Sequence, residues 1–276
     1  MDRNLIYDVG MHKGEDTDFY LKKGFRVIAI EAHPELAAQG AERFPEFIAN
    51  GKLVIVNKAV GAENGTARFF VNDKRSVWGT LNEDWAARNQ HLGAESHVIE
   101  VQTTRFEALL QQYGVPYYMK IDIEGSDHLC LEALAKFPDK SHFVSIESDF
   151  SSMRATKAEF DLLASLGYDR FKIVNQHTVG QMICPTPPRE GSQLAYKFEG
   201  GSSGLFGREL PGEWLARSKA IARFRRIVME SKLVGDFGIL EPLPREIYKF
   251  ITYHFLWRGS AWWDTHAMHS SATSGA

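Results

Sequence analysis

The sequence predicts an α/β fold: a doubly wound, mostly parallel sheet with helices on both faces and a helical cap at its C-terminal side. Strand-like and helix-like patterns alternate through the first two thirds of the 276 residues, as expected when crossover helices connect parallel strands. A hydrophobic content of 44% is enough for a substantial core. Segments rich in proline and glycine interrupt the alternation after residue 175.

Apolar runs bounded by turn residues define the strands, and helical periodicity defines the segments between them. The predicted strands cover residues 5–8, 26–31, 53–59, 117–122, 142–148 and 168–175, with a β-excursion at 65–72, an edge strand at 97–103 and a short strand-like run at 194–198. The predicted helices cover residues 16–24, 34–47, 83–89, 105–113, 128–137, 155–166, 211–233 and 244–257.

These elements divide the chain into three parts. Residues 1–200 form the predicted ligand-binding domain, and residues 201–258 form a loop and the helical cap. Residues 259–276 form a tail, and the small, polar residues from 266 onward are predicted to be disordered.

The first strand ends in the pattern Asp8-x-Gly10-x-x-x-Gly14 and leads into a helix that contains Thr17. A parallel sheet often binds a nucleoside at such a turn, because glycine permits a sharp bend and a close approach to a ligand. Glu31 ends the second strand about 20 residues later, the separation at which an acid reaches the ribose hydroxyls. The sequence therefore predicts a nucleoside site.

The charge of the turn favours one kind of nucleoside. Its spacing is not the G-x-G-x-x-G of a dinucleotide site, and acidic side chains near the turn repel phosphate. Asp8 can instead face an ammonium group. We therefore expect S-adenosylmethionine, which carries a sulfonium and an ammonium group, in preference to NAD.

A second charged segment follows the fourth parallel strand. Lys120, Asp122 and Glu124 share one face of a strand that should be almost wholly apolar. Asp122 and Glu124 fall at the C-terminal end of that strand, where open parallel sheets bind ligands. For Lys120, a structural ion pair is the alternative reading.

Together these segments resemble the FkbM family of S-adenosylmethionine-dependent methyltransferases. The resemblance covers residues 4 to about 150, and its specific stretches are residues 8–14, the Glu31 segment with Pro34, 57–61, 120–125 and 143–147. It implies the seven-stranded class I methyltransferase sheet and methylation of an oxygen on a small molecule or sugar acceptor. The chain departs from the family pattern at residues 11–13, where Met-His-Lys stands in place of small or uncharged polar residues.

The resemblance also implies roles for individual residues. By it, Asp8 and the backbone from Gly10 to Gly14 hold the methionine end, and Thr17 supports the start of the helix. The remaining cofactor residues that it implies are Glu31 at the ribose, Ala32 beside it, Val60 near the adenine and Asp122 at the reacting methyl group.

Transfer to a hydroxyl requires a group that accepts its proton. Glu124 is the first candidate and His128, one helical turn later, is the second; a surface or capping histidine is the alternative for His128. Carboxylates at neighbouring strand ends (Asp122, Glu124, Glu147 and Asp149) could bind Mg²⁺. We favour hydrogen bonding for these acids and predict no metal.

Irregular segments at strand ends are expected to form the acceptor pocket, because loops carry specificity. These segments are residues 76–78, 175–177 and 202–207. Two other functions share the cofactor pattern: a non-catalytic module that binds adenosylmethionine or a nucleotide, and an enzyme that acts on nucleotide sugars.

Composition excludes several partners. A net charge of -3 provides no general attraction for nucleic acid, and no apolar run approaches the roughly 20 residues that span a bilayer. Three arginines at 223–226 are expected to form a solvated face, whereas the tryptophans at 257, 262 and 263 are either buried or part of an interface. Two cysteines and the absence of a signal-peptide pattern predict a cytoplasmic protein.

Overall fold

The computed structural model describes residues 1–72, 79–81, 96–123, 125–148, 153–234, 239–240, 243–244, 246–247, 250 and 262–275. The strands are β1 Asp2–Val9, β2 Arg26–Ile30, β3 Leu53–Val56, β4 Ala59–Val60, β5 Gly65–Asn72, β6 Ser96–Thr104, β7 Pro116–Ile121, β8 Phe143–Glu147, β9 Tyr168–Asn175, β10 Leu215–Ala216 and β11 Trp263–His269. The helices are α1 Glu15–Lys22, α2 Pro34–Arg43, α3 Pro45–Ala49, α4 Phe106–Tyr113, α5 His128–Ala135, α6 Met153–Ser165 and α7 Arg217–Val234.

The described strands form an eight-stranded mixed sheet in the order β10-β9-β11-β8-β7-β1-β2-β3. Strands β3, β2, β1, β7 and β8 are parallel, and β11 runs antiparallel to both of its neighbours, β8 and β9. Strand β10 adds an antiparallel edge next to β9. The α/β class is confirmed, but the sheet is mixed and has eight strands instead of the expected seven.

The two faces of the sheet are covered differently. Helices α4 to α7 pack against one face through apolar side chains such as Phe160 and Phe224. On the other face, α1 is joined by the irregular segment 182–210, whose Phe206 ring stacks on Tyr118 with centroids 4.6 Å apart. A buried ion pair between Lys23 and Glu209 (2.7 Å) fixes this segment to α1.

The β-excursion forms a separate three-stranded sheet in the order β4-β6-β5. The predicted strand at 53–59 is therefore divided between two sheets, since β3 belongs to the large sheet and β4 to the small one. The run at 97–103 is the central strand of the small sheet and not an edge strand. This small sheet stands at the carboxyl ends of β2 and β3, where it can wall a site.

Other predicted elements differ locally from the structure. The helix at 34–47 is broken at Phe44, because the residue before Pro45 is disfavoured in helical geometry. Residues 194–198 form no strand, and the helix predicted from 211 begins at Arg217 after β10. The predicted helix at 83–89 and most of that at 244–257 lie outside the described residues.

The C-terminal segment is the largest correction. The sequence predicted disorder from residue 266, but Trp263–His269 forms β11 between β8 and β9. Its side chains are almost all buried; Ala267 has no exposed surface. The strand escaped the sequence analysis because its polar residues face other polar residues inside the sheet.

Strand register explains how those polar residues are accommodated. One row across the sheet consists of Asp8, Lys120, Ser145, His266 and Lys172, on β1, β7, β8, β11 and β9. All five are buried. Because side chains two residues apart share a face, Asp122, Glu147 and Asp264 lie on the same face one step nearer the carboxyl ends of the parallel strands.

The position of β11 predicts a strong effect of a charge on that strand. Ala267→Asp should lower the free energy of unfolding by roughly 3–5 kcal/mol, since it would bury an unpaired carboxylate. Urea unfolding followed by circular dichroism measures the change. Ser271→Asp, at an exposed residue just after the strand, is the control and should change stability by no more than about 0.5 kcal/mol. Equal effects of the two substitutions would contradict the interior position of β11.

Candidate functional site

An open cavity lies at the carboxyl ends of β1, β2 and β7 and is walled by the small sheet. Its apolar part is lined by Ile30, Ala32, Leu36, Ala59, Val60, Phe69, Val71 and Leu81. Its polar part is lined by His12, Glu15, Asp16, Glu31, His33, Lys58, Lys120 and Asp122. The cavity therefore has an apolar portion and a portion in which carboxylates outnumber lysines.

The two glycines of the first turn serve the packing of the protein. Gly10 has a φ of 87°, and a Cβ there would lie 1.9 Å from the carbonyl oxygen of Asp122. Gly14 also has positive φ, and a Cβ there would lie 2.6 Å from the Phe44 ring. Gly10 lines the cavity, but its close contact is with the end of β7, so it allows two strand ends to approach each other.

Asp8 is not among the residues that line the cavity. It has no exposed surface, and its Oδ2 accepts a hydrogen bond from the Thr17 hydroxyl at 2.6 Å. Its Oδ1 lies 3.5 Å from the Lys120 ammonium group. Asp8 and Thr17 thus join β1, α1 and β7 beneath the cavity.

Lys120 is the cation at the centre of the site. Its Nζ donates to the Gly10 carbonyl at 2.7 Å and lies 3.6 Å from Asp122 and 4.0 Å from Asp16. Burial opposes the charge, but Asp122, Asp8, Asp16 and Asp264 outweigh it and raise the pKa of Lys120. The predicted ion pair of Lys120 is therefore present and has several carboxylate partners.

Asp16 connects the start of α1 to the loop after residue 200. Its Oδ1 and Oδ2 lie 2.8 and 3.1 Å from the backbone nitrogen of Ser203, which donates to the carboxylate. Burial raises the pKa of Asp16 to about 7, against the opposing effects of Lys120 and Ser203. Near neutral pH this carboxyl group is therefore partly protonated.

Glu31 is fixed by backbone donors on either side. The His33 N–H donates to Oε1 and the His12 N–H donates to Oε2, each at 2.8 Å. Burial raises the pKa of Glu31, although these two hydrogen bonds oppose the shift. A carboxylate has about four acceptor positions, so the oxygens of Glu31 retain capacity to accept further hydrogen bonds.

His12 combines a strained backbone with a side chain that contacts an acid. Its φ is 53°, in the left-handed region that costs a non-glycine residue roughly 1–3 kcal/mol. Its Nδ1 lies 3.1 Å from Glu15 Oε1, and Glu15 Oε2 also accepts the Lys13 N–H at 3.1 Å. The atypical residues of the first turn therefore bond two of the cavity carboxylates, Glu15 and Glu31.

The turn after β7 lies between this cavity and a second one. Asp122, Ile123 and Ser126 line the first cavity, whereas Gly125 and Asp127 line the second. Asp127 holds the turn, because its carboxylate accepts the Ile123 and Gly125 N–H groups at 3.2 Å each.

Of the three predicted catalytic residues, the structure describes Asp122 and His128, whereas Glu124 lies outside the described residues. His128 is exposed at the start of α5 and lines the second cavity. Asp122 is the predicted acid that the described structure brings to the first cavity.

The three segments predicted to form the pocket for the methyl acceptor differ in where the structure places them or in whether it describes them. Ser203 contacts Asp16, and Phe206 is a core residue with no exposed surface. Asn175 ends β9, and its side chain accepts the His177 N–H at the start of a short 3₁₀ turn. Residues 76–78 lie outside the described residues.

Two site features could not be identified from the sequence. Asp264 is buried on β11, and burial and Asp122 raise its pKa well above the usual value while Lys120 opposes the shift. The apolar wall contributed by Phe69 and Val71 depends on the position of the small sheet. Among the described residues, no group of three or more His, Cys, Asp or Glu residues could hold a metal ion.

Among the described residues, no helix is long and apolar enough to cross a bilayer. Trp263 is buried in β11, whereas Trp262 is 40% exposed. Residue 257 lies outside the described residues.

Comparison with known proteins identifies one family. A family model described as "Methyltransferase FkbM domain" matches residues 8–170, which is more than half of the chain. No curated protein sequence matches. The matched region includes the cavity residues from β1 to β7, whereas Gly201 and the Asp264 strand lie beyond it.

Several solved structures are similar to the chain at low identity. They include a precorrin-6y C5,15-methyltransferase from Geobacter metallireducens (11% identity, 63% of this chain and 68% of that chain, TM-score 0.36). A precorrin 8w decarboxylase from Methanobacterium thermoautotrophicum has 12% identity, coverages of 63% and 69%, and a TM-score of 0.35. YjhP from E. coli has 11% identity, coverages of 97% and 86%, and a TM-score of 0.36. Likeness at this level supports no conclusion about activity.

The raised pKa of Asp16 predicts a specific dependence of stability on pH. Its carboxyl group binds a proton in the folded state between its ordinary pKa of 3.8 and about 7, so its contribution to stability decreases as the pH rises through 7. Asp16→Asn should therefore gain on the order of 2 kcal/mol relative to the wild type between about pH 5 and pH 8. Urea unfolding at both pH values measures this difference.

Asp18→Asn removes a carboxylate from the same helix and serves as the control. Its Oδ2 pairs with Lys22 at 2.7 Å and makes no contact with Ser203. A rise in relative stability for Asp18→Asn equal to that for Asp16→Asn would contradict the assignment.

Proposed function

The chain belongs to the FkbM methyltransferase family, and from this premise we propose that it is an S-adenosylmethionine-dependent O-methyltransferase acting on a hydroxyl group of a small molecule or glycan. The observation that carries the proposal is the lining of the first cavity, which combines apolar side chains with carboxylates, Glu31 among them. An adenosyl ligand with a cationic amino-acid end presents matching apolar and cationic groups.

The apolar portion fits an adenine ring. Ala32, Leu36, Val60 and Phe69 line it and offer surface that a purine can cover without leaving charged groups unpaired. Val60 and Ala32 are among the residues assigned to the cofactor from the sequence. Their proposed role is therefore apolar contact with the base.

The carboxylates fit the rest of the cofactor. Glu31, held by two backbone N–H groups, would accept hydrogen bonds from the ribose hydroxyls. The cavity also presents Glu15, Asp16 and Asp122, which favour a cation and repel the phosphates of NAD or a nucleotide sugar. S-adenosylmethionine, when bound, supplies an electrophilic methyl group.

Methyl transfer requires alignment more than acid catalysis, and the acceptor hydroxyl must lose its proton. Asp122 borders the first cavity and is 42% exposed, so it is accessible to an acceptor. Glu124, the residue after Ile123 in the sequence, is the first proposed proton acceptor. Asp122 would orient the hydroxyl, while Lys120 stabilises its carboxylate at 3.6 Å.

The second cavity is the proposed site of the acceptor. Gly125 and Asp127 of the turn line it together with Glu132 and Glu147. Carboxylates can accept hydrogen bonds from several hydroxyl groups at once, which suits a sugar or another polyol. His128 also lines this cavity and is the alternative proton acceptor.

Ligand binding tests the cofactor assignment. The wild-type protein should bind adenosylhomocysteine in preference to a nucleoside diphosphate sugar by isothermal titration calorimetry. Glu31→Gln should weaken adenosylhomocysteine binding by about 10- to 100-fold, the effect of losing a charge-assisted hydrogen bond. Glu42→Gln, at an exposed residue of α2, is the control and should bind normally. Preference for the nucleotide sugar would contradict the proposal.

Methyl transfer to a panel of hydroxylated acceptors tests the proton acceptor. Glu124→Gln should lower kcat by about 10²- to 10⁴-fold while leaving adenosylhomocysteine affinity nearly unchanged. His128→Gln is the comparison variant. Loss of transfer in His128→Gln alone would assign the role to His128, and full activity of both variants would exclude both groups.

A further inference from the structure

A cationic amino-acid end in the first cavity requires a carboxylate that is both accessible and charged. Asp8 is excluded because it is buried beneath the cavity and bonded to Thr17. Asp16 is only 3% exposed, and both of its oxygens face the Ser203 N–H group. Asp122 is assigned above to the acceptor hydroxyl, and its carboxylate lies 3.6 Å from Lys120.

Glu15 meets both requirements. It lines the cavity, and its contacts are with the ring of His12 and the N–H of Lys13, both of which stabilise a negative carboxylate. Burial acts to raise the pKa of Glu15, but hydrogen bonds from His12 and from its own backbone lower it below the usual value. Glu15 therefore remains ionised although its side chain is only 10% exposed.

His12 connects this carboxylate to the one proposed to bind the ribose. Its backbone N–H donates to Glu31 Oε2 at 2.8 Å, while its ring Nδ1 lies 3.1 Å from Glu15 Oε1. Because a carboxylate only accepts, Nδ1 carries the proton in this contact. The left-handed backbone of His12 allows one residue to hold two carboxylates at one wall of the cavity.

We propose that Glu15 is the carboxylate that binds the α-ammonium group of the adenosyl ligand, and that His12 is a positioning residue that holds Glu15 for this contact. The inference rests on the proposed function and assigns a specificity-determining residue within it. Gly201 lies over the same carboxylate, since a Cβ at Gly201 would be 3.7 Å from Glu15 Oε1. The loop after residue 200 therefore adjoins the amino-acid end of the site.

Three probes separate this role from a general effect on the cavity. Adenosylhomocysteine carries both the ammonium and carboxylate groups, its decarboxylated analogue retains the ammonium group, and 5′-methylthioadenosine lacks both. Calorimetry on Glu15→Gln should show binding of the first two weakened by at least about tenfold. Binding of 5′-methylthioadenosine should change by no more than about twofold.

His12→Asn tests the positioning role. Asparagine tolerates the left-handed backbone and keeps the N–H to Glu31, but it removes the ring from Glu15. Affinity for adenosylhomocysteine should fall by about 3- to 10-fold, and Glu15→Gln with His12→Asn should bind no more weakly than Glu15→Gln alone. His97→Asn, at an exposed residue of β6 that is not among the cavity lining, is the control and should bind adenosylhomocysteine normally.

The outcomes distinguish this inference from the function on which it rests. Equal weakening of all three probes by Glu15→Gln, or no weakening of any, would overturn the role of Glu15 while leaving the proposed cofactor intact. Additive losses in the double variant would overturn the positioning role of His12. Failure of the wild-type protein to bind any of the probes would overturn both the inference and the proposed function.

Discussion

The buried ammonium group of Lys120 is the constraint on which the site depends. A lysine inside a sheet must keep its charge compensated, and removing a partner of a buried ion pair costs roughly 3–5 kcal/mol. Here the compensation comes from different parts of the chain: Asp8 of β1, Asp16 of α1, Asp122 after β7 and Asp264 of β11. The requirement to neutralise one charge therefore brings together the elements that build the cavity.

The same requirement divides the acids of the site by role. Asp8 lies beneath the cavity and joins elements of the fold, and Asp16 lines the cavity but is bonded to the loop after residue 200. Glu15 and Glu31 also line the cavity and are held by backbone or imidazole groups. The type of acidic residue does not determine which of these roles a carboxylate has. Burial and the nearest donor decide whether a carboxylate serves structure or is available to a ligand.

The sequence was sufficient for the features set by local pattern. The first strand and turn, the strand that ends in Glu31 and the charged strand at Lys120 are all predicted, because each has a distinctive composition over a few residues. The roles of the individual residues in these segments were harder to predict from the sequence. Asp8 and Glu15 are both acids near one turn, and only the packing of α1 on β1 determines which of them lines the cavity.

The C-terminal strand was missed for a different reason. Asp264 and His266 are polar residues in a strand covered on both sides, which an apolar pattern cannot reveal. His266 lies between Ser145 and Lys172, and Asp264 lies between Glu147 and Val174, on strands distant in sequence. A prediction based on residues that are close in sequence cannot detect this pairing of distant strands.

The position of β11 also has a consequence for synthesis on the ribosome. Strands β8 and β9 follow each other closely in the chain, yet neither can pair with the other, because β11 occupies the space between them. Until residues 263–269 have emerged, the growing chain carries two unpaired strand edges, which invite association with other chains. Completion of the sheet therefore waits for a contact of long sequence separation, which slows folding.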